Sequence, residues 1–310
     1  MFEQIVLKEL VKNGYSTERG KRVWNIATHK LLYSTPQLAQ GFLDLMRLPR
    51  YKANNIDREI ALVRGHVPPF FGGSHDSFNL IDLGCGDGTK AEAFVKSLPR
   101  TLRTKYYSVD ISMPLTHLAK TRLSSMRSKT FSLGGSFIED FSNPELVMKK
   151  IRAKSNERSI FLLLGGTLAS FEINEFLFSL SRSMKRGDML VVGNGIRTGK
   201  RFVGLEKYNH SLFNKWLIHL MIGLGFSADE VSYNTRFANG RLEFFYTVKQ
   251  DKIFVGNGKR IKFKAKDEIV VAVQYKYYAA ELEKFCRMYF SDVRFFKDKD
   301  SEYALILCVK

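Results

Sequence analysis

An apolar run that ends in an acid and is followed by alternate glycines carries the clearest chemistry in the chain. It reads Asn79-Leu80-Ile81-Asp82-Leu83-Gly84-Cys85-Gly86-Asp87-Gly88-Thr89-Lys90. A helix-like stretch, 89–98, follows. Strand, tight turn and helix N-terminus in series offer unpaired backbone N–H donors to a polar or anionic group. Glycine lets the backbone pass close under a ligand with dihedrals that a Cβ forbids. A second acid, Asp110, closes the β-rich run Tyr106-Tyr107-Ser108-Val109 and precedes Ile111-Ser112. It lies roughly 20 residues past the glycines, where a doubly wound sheet sets its ribose-binding carboxylate. A dinucleotide site favours Gly-x-Gly-x-x-Gly, whereas the spacing here is Gly84-x-Gly86-x-Gly88. Asp87 inside the turn would repel a pyrophosphate. The plainer alternative is an ordinary α/β turn with incidental acids.

The elements around these residues alternate. Strands are predicted at 79–83, 106–110, 131–133, 160–164 and 189–193, and helices at 89–98, 113–126, 143–153 and 172–185. Such alternation argues a parallel sheet covered on both faces, with ligands beyond the carboxyl ends of its strands. Residues 1–75 read as mostly helical. The Pro/Gly-rich segment 67–74 reads as a hinge before the core at 76–196. After 196 the rhythm changes to a helix at 211–224 and β-prone runs at 242–248, 260–264 and 269–276. Turn signals stand at Asn239-Gly240 and Gly256-Asn257-Gly258. Residues 197–275 are expected to be an α+β insertion covering the cofactor pocket. A helix at 278–289 and a strand at 303–309 are expected to return to the sheet edge, within a C-terminal segment 276–310.

Composition excludes several classes. A chain of 310 residues with 25 Phe and 13 Tyr is globular and large enough for one big domain or two small ones. No apolar run approaches the length of a membrane span. The first residues lack a basic segment followed by an apolar one, so secretion is not expected. Cys85, Cys286 and Cys308 have neither zinc nor redox spacing. No metal site is indicated, and a cytoplasmic setting is the simplest. The net charge of +18 favours nucleic acid, an acidic protein or another anionic partner. The alternative is a solvated basic face, because the cations are spread along the chain. The densest stretches are 149–154 and 259–266, the second alternating basic and apolar as a half-buried strand does.

The string Asp82-Leu83-Gly84-Cys85-Gly86-Asp87-Gly88 resembles motif I of class I S-adenosylmethionine (SAM) methyltransferases. SAM carries a sulfonium and an amino group, which suit nearby carboxylates. The whole chain resembles the histidine-specific SAM-dependent methyltransferase family, whose best-known members trimethylate the α-amine of histidine. The matching pieces are Tyr33, Gly41-Phe42, Leu48-Pro49-Arg50-Tyr51, Leu164-Gly165-Gly166-Thr167, Leu190-Val191-Val192-Gly193, Tyr208-Asn209, Arg241-Leu242-Glu243-Phe244 and Lys276-Tyr277. The resemblance implies a class I, Rossmann-like doubly wound sheet with an inserted substrate-cap region and SAM as cofactor. The cofactor set it implies is Asp82, Gly84, Gly86, Gly88, Lys90, Asp110, Ile111, Ser136 and Phe137. Within it, Asp82, Gly84 and Gly86 lie near the methionine moiety and Asp110 at the ribose. Ser136 stands where the family often has an Asp that reaches the adenine amino group, with Glu139 or Asp140 as alternatives. The acceptor pocket it implies contains Tyr33, Phe42, Tyr51, Ser170, Tyr208 and Gln274, with core packing as the alternative role of the tyrosines. His210 is a candidate general base, and no catalytic residue is assigned.

Four acceptor positions depart from the family. An Asn, an Asp, a Glu and a Ser are replaced by Ser170, Gly195, Ala272 and Gln274. A site that reads hydrogen-bonding groups does not drop them and keep its ligand. The expectation is a methyltransferase acting on a small amine or amino-acid-like molecule other than histidine. The alternatives are a methyltransferase for protein or RNA, and a non-catalytic SAM-binding module.

Overall fold

Strands buried on both faces read as unbroken apolar runs, and such runs build the main sheet of the larger of two units. The computed structural model describes residues 2–72, 76–126, 128–199 and 205–310, without the side chain of Lys207. These form two compact units, one of Met1–Arg47 with Gly199–Tyr275 and a larger one of Leu48–Thr198 with Lys276–Lys310.

The larger unit runs α1 (Arg58–Phe71), β1 (Ser77–Leu83), α2 (Thr89–Ser97), β2 (Arg103–Asp110), α3 (Met113–Ser124), β3 (Phe131–Ile138), α4 (Pro144–Arg152), β4 (Arg158–Leu163), α5 (Ile173–Ser183) and β5 (Met189–Gly195). It closes with α6 (Ala279–Tyr289), β6 (Asp292–Lys297) and β7 (Tyr303–Val309). The sheet order is β6-β7-β5-β4-β1-β2-β3. β1 to β5 are parallel, and β7 is antiparallel to both β5 and β6. On one face Val147 of α4, Phe176 and Leu180 of α5 and Leu282 of α6 join Ile81, Phe161 and Val192. On the other, Leu62 and Val63 of α1 and Phe94 of α2 join Leu80, Leu162 and Leu305. A fully buried leucine of this kind contributes roughly 1.5–3 kcal/mol. The strand order reverses between β1 and β4, which opens a crevice at their carboxyl ends. This is the doubly wound α/β architecture predicted from the alternation.

The details differ at several points. β3 extends to Ile138, past the predicted 133, across Gly134 and Gly135. The pairing register with β2 shifts there, and the ring of Tyr107 occupies the space a Gly134 Cβ would need. β7 is not at the edge. β6, absent from the sequence reading, takes that place, and its exposed Asp292 and Arg294 hide its apolar face. The predicted hinge is helical through Phe71, with Pro68 and Pro69 inside the helix. Its Gly73 and Ser74 lie outside the described residues.

The smaller unit is a five-stranded sheet ordered Tyr15–Glu18, Lys21–Asn25, Glu268–Tyr275, Arg241–Val248, Val231–Ala238. The first two strands interrupt residues 1–75, whose other described elements are all helical. They turn at Arg19 and Gly20, both at positive φ, and the first is exposed throughout, so no alternating pattern marks it. Lys21–Asn25 pairs in parallel with Glu268, Ile269 and Val270, so the 199–275 segment shares one sheet with the start of the chain. The two Asn-Gly turns form as predicted, with Asn239, Gly240, Asn257 and Gly258 all at positive φ. No helix among the described residues is long and apolar enough to cross a membrane.

Candidate active site

The three glycines of the turn after β1 do different work. All lie in the left-handed region, with φ of 75°, 53° and 78° at Gly84, Gly86 and Gly88. A Cβ on Gly88 would come within 2.9 Å of the Ala119 backbone, so this glycine admits α3. A Cβ on Gly84 would press on Thr167 and Phe141 at 3.2 and 3.3 Å. A Cβ on Gly86 would meet nothing within 4 Å, so Gly86 alone faces open space. The turn leans on β2 through Gly84 N–H donating to the Val109 carbonyl at 2.8 Å. Asp87 is not aimed at a ligand. Its carboxylate accepts from Thr89 N at 3.0 Å, from Thr89 Oγ1 at 2.7 Å and from Arg122 at 3.2 Å. Its charge therefore argues less against a pyrophosphate than the sequence suggested.

Two buried carboxylates stand at the ends of β1 and β2. Asp82 accepts from the Tyr106 hydroxyl at 2.8 Å. Burial pushes its pKa up to about 7; the Tyr106 hydrogen bond and Lys90 oppose the rise, while the Asp110 and Glu59 charges add to it. Asp110 accepts from Ser112 N at 2.9 Å and from Gly86 N at 3.3 Å. Burial pushes its pKa up to about 6, against those backbone hydrogen bonds. Beside it, the buried Ser112 hydroxyl has no hydrogen-bond partner among the described residues.

A third buried acid, Glu59 on α1, escapes a motif search. Its Oε1 and Oε2 accept from Gly165 N at 2.9 and 3.0 Å, and Oε2 lies 2.5 Å from the Lys90 ammonium. Its carboxylate fills the space a Gly193 Cβ would need. The signal was present: Glu59 belongs to the buried stripe Glu59, Leu62, Val63, Val67 of a helix. A charge on an apolar stripe needs a partner.

The remaining candidates fall into groups. Half-buried Ile111 lies beside Asp110. Ser136 and Phe137 lie within β3, two and one register positions before Ile138, which pairs with Asp110. The Ser136 hydroxyl accepts from Ser108 Oγ at 2.8 Å, and Phe137 stacks on Tyr107. Glu139 and Asp140 follow the strand end; Glu139 pairs with Lys150, and Asp140 accepts from Ser142. Ser170 ends a 3-10 turn after β4, and Tyr51 ends a short helix, Pro49–Tyr51, in the same unit. The other acceptor candidates belong to the smaller unit. There Tyr33, Phe42 and Trp216 make an aromatic trio with centroids 5.0–5.9 Å apart. Tyr208 packs on Phe213 and Phe244. Gln274 pairs with Leu242 in the five-stranded sheet. His210 accepts from Leu212 N through Nδ1 as a helix cap. No group of three or more metal-ligating side chains occurs among the described residues.

The residues at the sheet's carboxyl end fit SAM. Among the described residues, Asp82 and Asp110 are buried without an ion-pair partner, Gly86 leaves its surface free, and the Ser112 hydroxyl is unsatisfied. A cationic cofactor with ribose hydroxyls supplies what each lacks.

Among solved structures, the chain is similar to an S-adenosylmethionine-dependent methyltransferase from Clostridium acetobutylicum. The two share 13% identity over 87% of this chain and 98% of that one, with a TM-score of 0.47. It is similar to human N-acetylserotonin methyltransferase in complex with SAM at 14% identity, over 100% of this chain and 65% of that one, with a TM-score of 0.48. It is also similar to a sugar N-methyltransferase from a Streptoalloteichus species at 13% identity, over 84% and 90% of the two chains, with a TM-score of 0.45. No curated protein matches the chain. The family model for the SAM-dependent, histidine-specific methyltransferases matches residues 8–310. The chain belongs to that family and is a SAM-dependent methyltransferase.

Proposed function

We propose that the chain methylates the nitrogen of a small amine or amino-acid-like acceptor other than free histidine. The observation that carries this reading is the loss of polar groups at the family's acceptor positions. Ala272 is buried and pairs across the sheet with Phe244, and Gly195 offers no side chain. Neither position can pair an ammonium, a carboxylate or an imidazole N–H. Ser170 and Gln274 keep a polar atom with a different reach. Unpaired buried polar groups cost roughly 1–3 kcal/mol each, so histidine would be poorly held. The proposed acceptor contacts are Tyr33, Phe42, Tyr51, Ser170, Tyr208 and Gln274. Aromatic faces among them stabilise a methylated ammonium by cation–π contact.

The proposed cofactor contacts are Asp82, Gly84, Gly86, Gly88, Lys90, Asp110, Ile111, Ser136 and Phe137. SAM supplies a methyl group already activated by its sulfonium, so the protein needs to bind, align and exclude water and to let the acceptor nitrogen give up its proton to solvent before it attacks the methyl group. Asp110 accepts from ribose hydroxyls, Asp82 favours positive charge nearby, and Lys90 meets the cofactor's one carboxylate. The three buried, free thiols suit a cytoplasmic setting. The test compares initial rates for labelled SAM with histidine, other amino acids and amines. Turnover of an amine with little on histidine is expected; efficient trimethylation of histidine would overturn the reading.

A further inference from the structure

We infer that Glu59 is a positioning residue that holds the Lys90 ammonium for the cofactor's amino-acid end. The inference rests on the cofactor site proposed above and adds to it a group from outside every glycine-turn motif.

Glu59 is completely buried, and Lys90 keeps 16% of its side chain exposed. Their 2.5 Å contact joins the first turn of α1 to the first turn of α2. Both carboxylate oxygens also accept from Gly165 N, in the turn after β4. Two glycines make room for the arrangement. A Cβ on Gly193 would collide with the Glu59 carboxylate, and a Cβ on Gly165 would sit 2.8 Å from Lys90 Nζ. The neighbouring residue fixes the helix: Arg58 binds Asp298, Asp300 and Glu302 at 2.8, 3.0 and 2.9 Å. Glu59 is thus held from its own helix, and Lys90 is held by Glu59.

The chemistry follows from the donor count. A lysine ammonium has three N–H donors. The bond to Glu59 uses one. Two donors remain for an anion beside the α2 N-terminus, where the helix dipole also favours negative charge. Without Glu59, Lys90 loses its fixed place and Gly165 N–H loses its acceptor.

The test uses the full chain and calorimetry with two ligands. S-adenosylhomocysteine carries the amino-acid end, and 5′-methylthioadenosine lacks it. Glu59→Gln should weaken S-adenosylhomocysteine about tenfold or more and leave methylthioadenosine within about twofold. Lys90→Met should do the same, and the double variant should be no worse than the weaker single variant. Gly193→Ala keeps the charge but displaces the Glu59 carboxylate, and should show the same ligand selectivity; it serves if Glu59→Gln fails to fold. Equal loss of both ligands, additive effects, or unchanged or tighter S-adenosylhomocysteine binding would overturn the inference alone. A wild-type chain that binds neither ligand would overturn the cofactor site and this inference with it.

Discussion

Both units bury carboxylates, and two groups of these acids are treated in opposite ways. In the smaller unit, Arg236 pairs with Glu243 at 2.7 Å and with Glu268, while Arg241 and Lys21 add contacts at 2.7 and 2.8 Å. Burial alone would raise Glu268, but Lys21 and Arg236 prevail and leave it below the usual carboxylate range. In the larger unit, Asp82 and Asp110 sit at 3% and 5% exposure with a phenol and backbone N–H groups for partners, and both are pushed upward. One set of acids is saturated by cations of the same sheet. Among the described residues the other has no ion-pair partner, which is the condition of a site shaped for a positively charged ligand. Burial of an acid therefore says little until its partners are counted.

The comparison breaks most visibly if Arg236 is removed. Arg236→Met leaves Glu243 and Glu268 short of their shared cation and should destabilise the protein by about 3–5 kcal/mol, near the lower figure because Arg236 is 22% exposed. Denaturant unfolding measures it, and a change below about 1 kcal/mol would place the ladder with ordinary surface pairs.

The next effect is pH dependence without ligand. Asp82 and Asp110 have folded-state pKa values of about 7 and about 6 against an ordinary 3.8. The folded state thus holds more protons than the unfolded one between about pH 4 and pH 7. Their stabilising contribution is complete below about pH 4 and is lost as pH rises through those values. A drop of roughly 3 kcal/mol between pH 5.5 and pH 8 is expected from unfolding curves. S-adenosylhomocysteine should bind more tightly over the same rise, because in the proposed site ribose hydroxyls donate to ionised Asp110. Flat profiles would remove the contrast between the units.

The smallest effect separates binding from stability at one residue. Asp110→Asn should weaken S-adenosylhomocysteine by about 10–30-fold, roughly 1.5–2 kcal/mol, while leaving unfolding at pH 8 unchanged or improved. Loss of stability without loss of affinity would make Asp110 a structural acid like Glu243.

Legibility in the sequence tracks how local each feature is. Strand, turn and helix at 79–97 lie within one short stretch, and their apolar run, glycines and helix start stood out at once. β5 and β7 read correctly as strands because burial on both faces makes them continuously apolar. The position of β7 did not, since it depends on a pairing with β5 across more than 100 residues. The Tyr15–Glu18 strand was hidden because all four of its residues face solvent. At the site, Asp82, the glycines and Asp110 were legible from spacing. For Glu59 the spacing marked only a charge on an apolar stripe; its partners Gly165, Gly193 and Lys90 lie in three segments that only the fold brings together.

The internal place of β7 has a consequence for how the molecule is made. β1 to β5 are available early in synthesis and can form their local strand–helix units one after another. The apolar edge of β5 then waits, because the strand that covers it spans residues 303–309. Through the synthesis of some hundred further residues, Leu190 to Val192 offer unpaired backbone to any extended chain. A pairing of such long sequence separation is slow, and an open apolar edge invites association. A nascent chain stalled before residue 303 would be the form of this enzyme most in need of a chaperone.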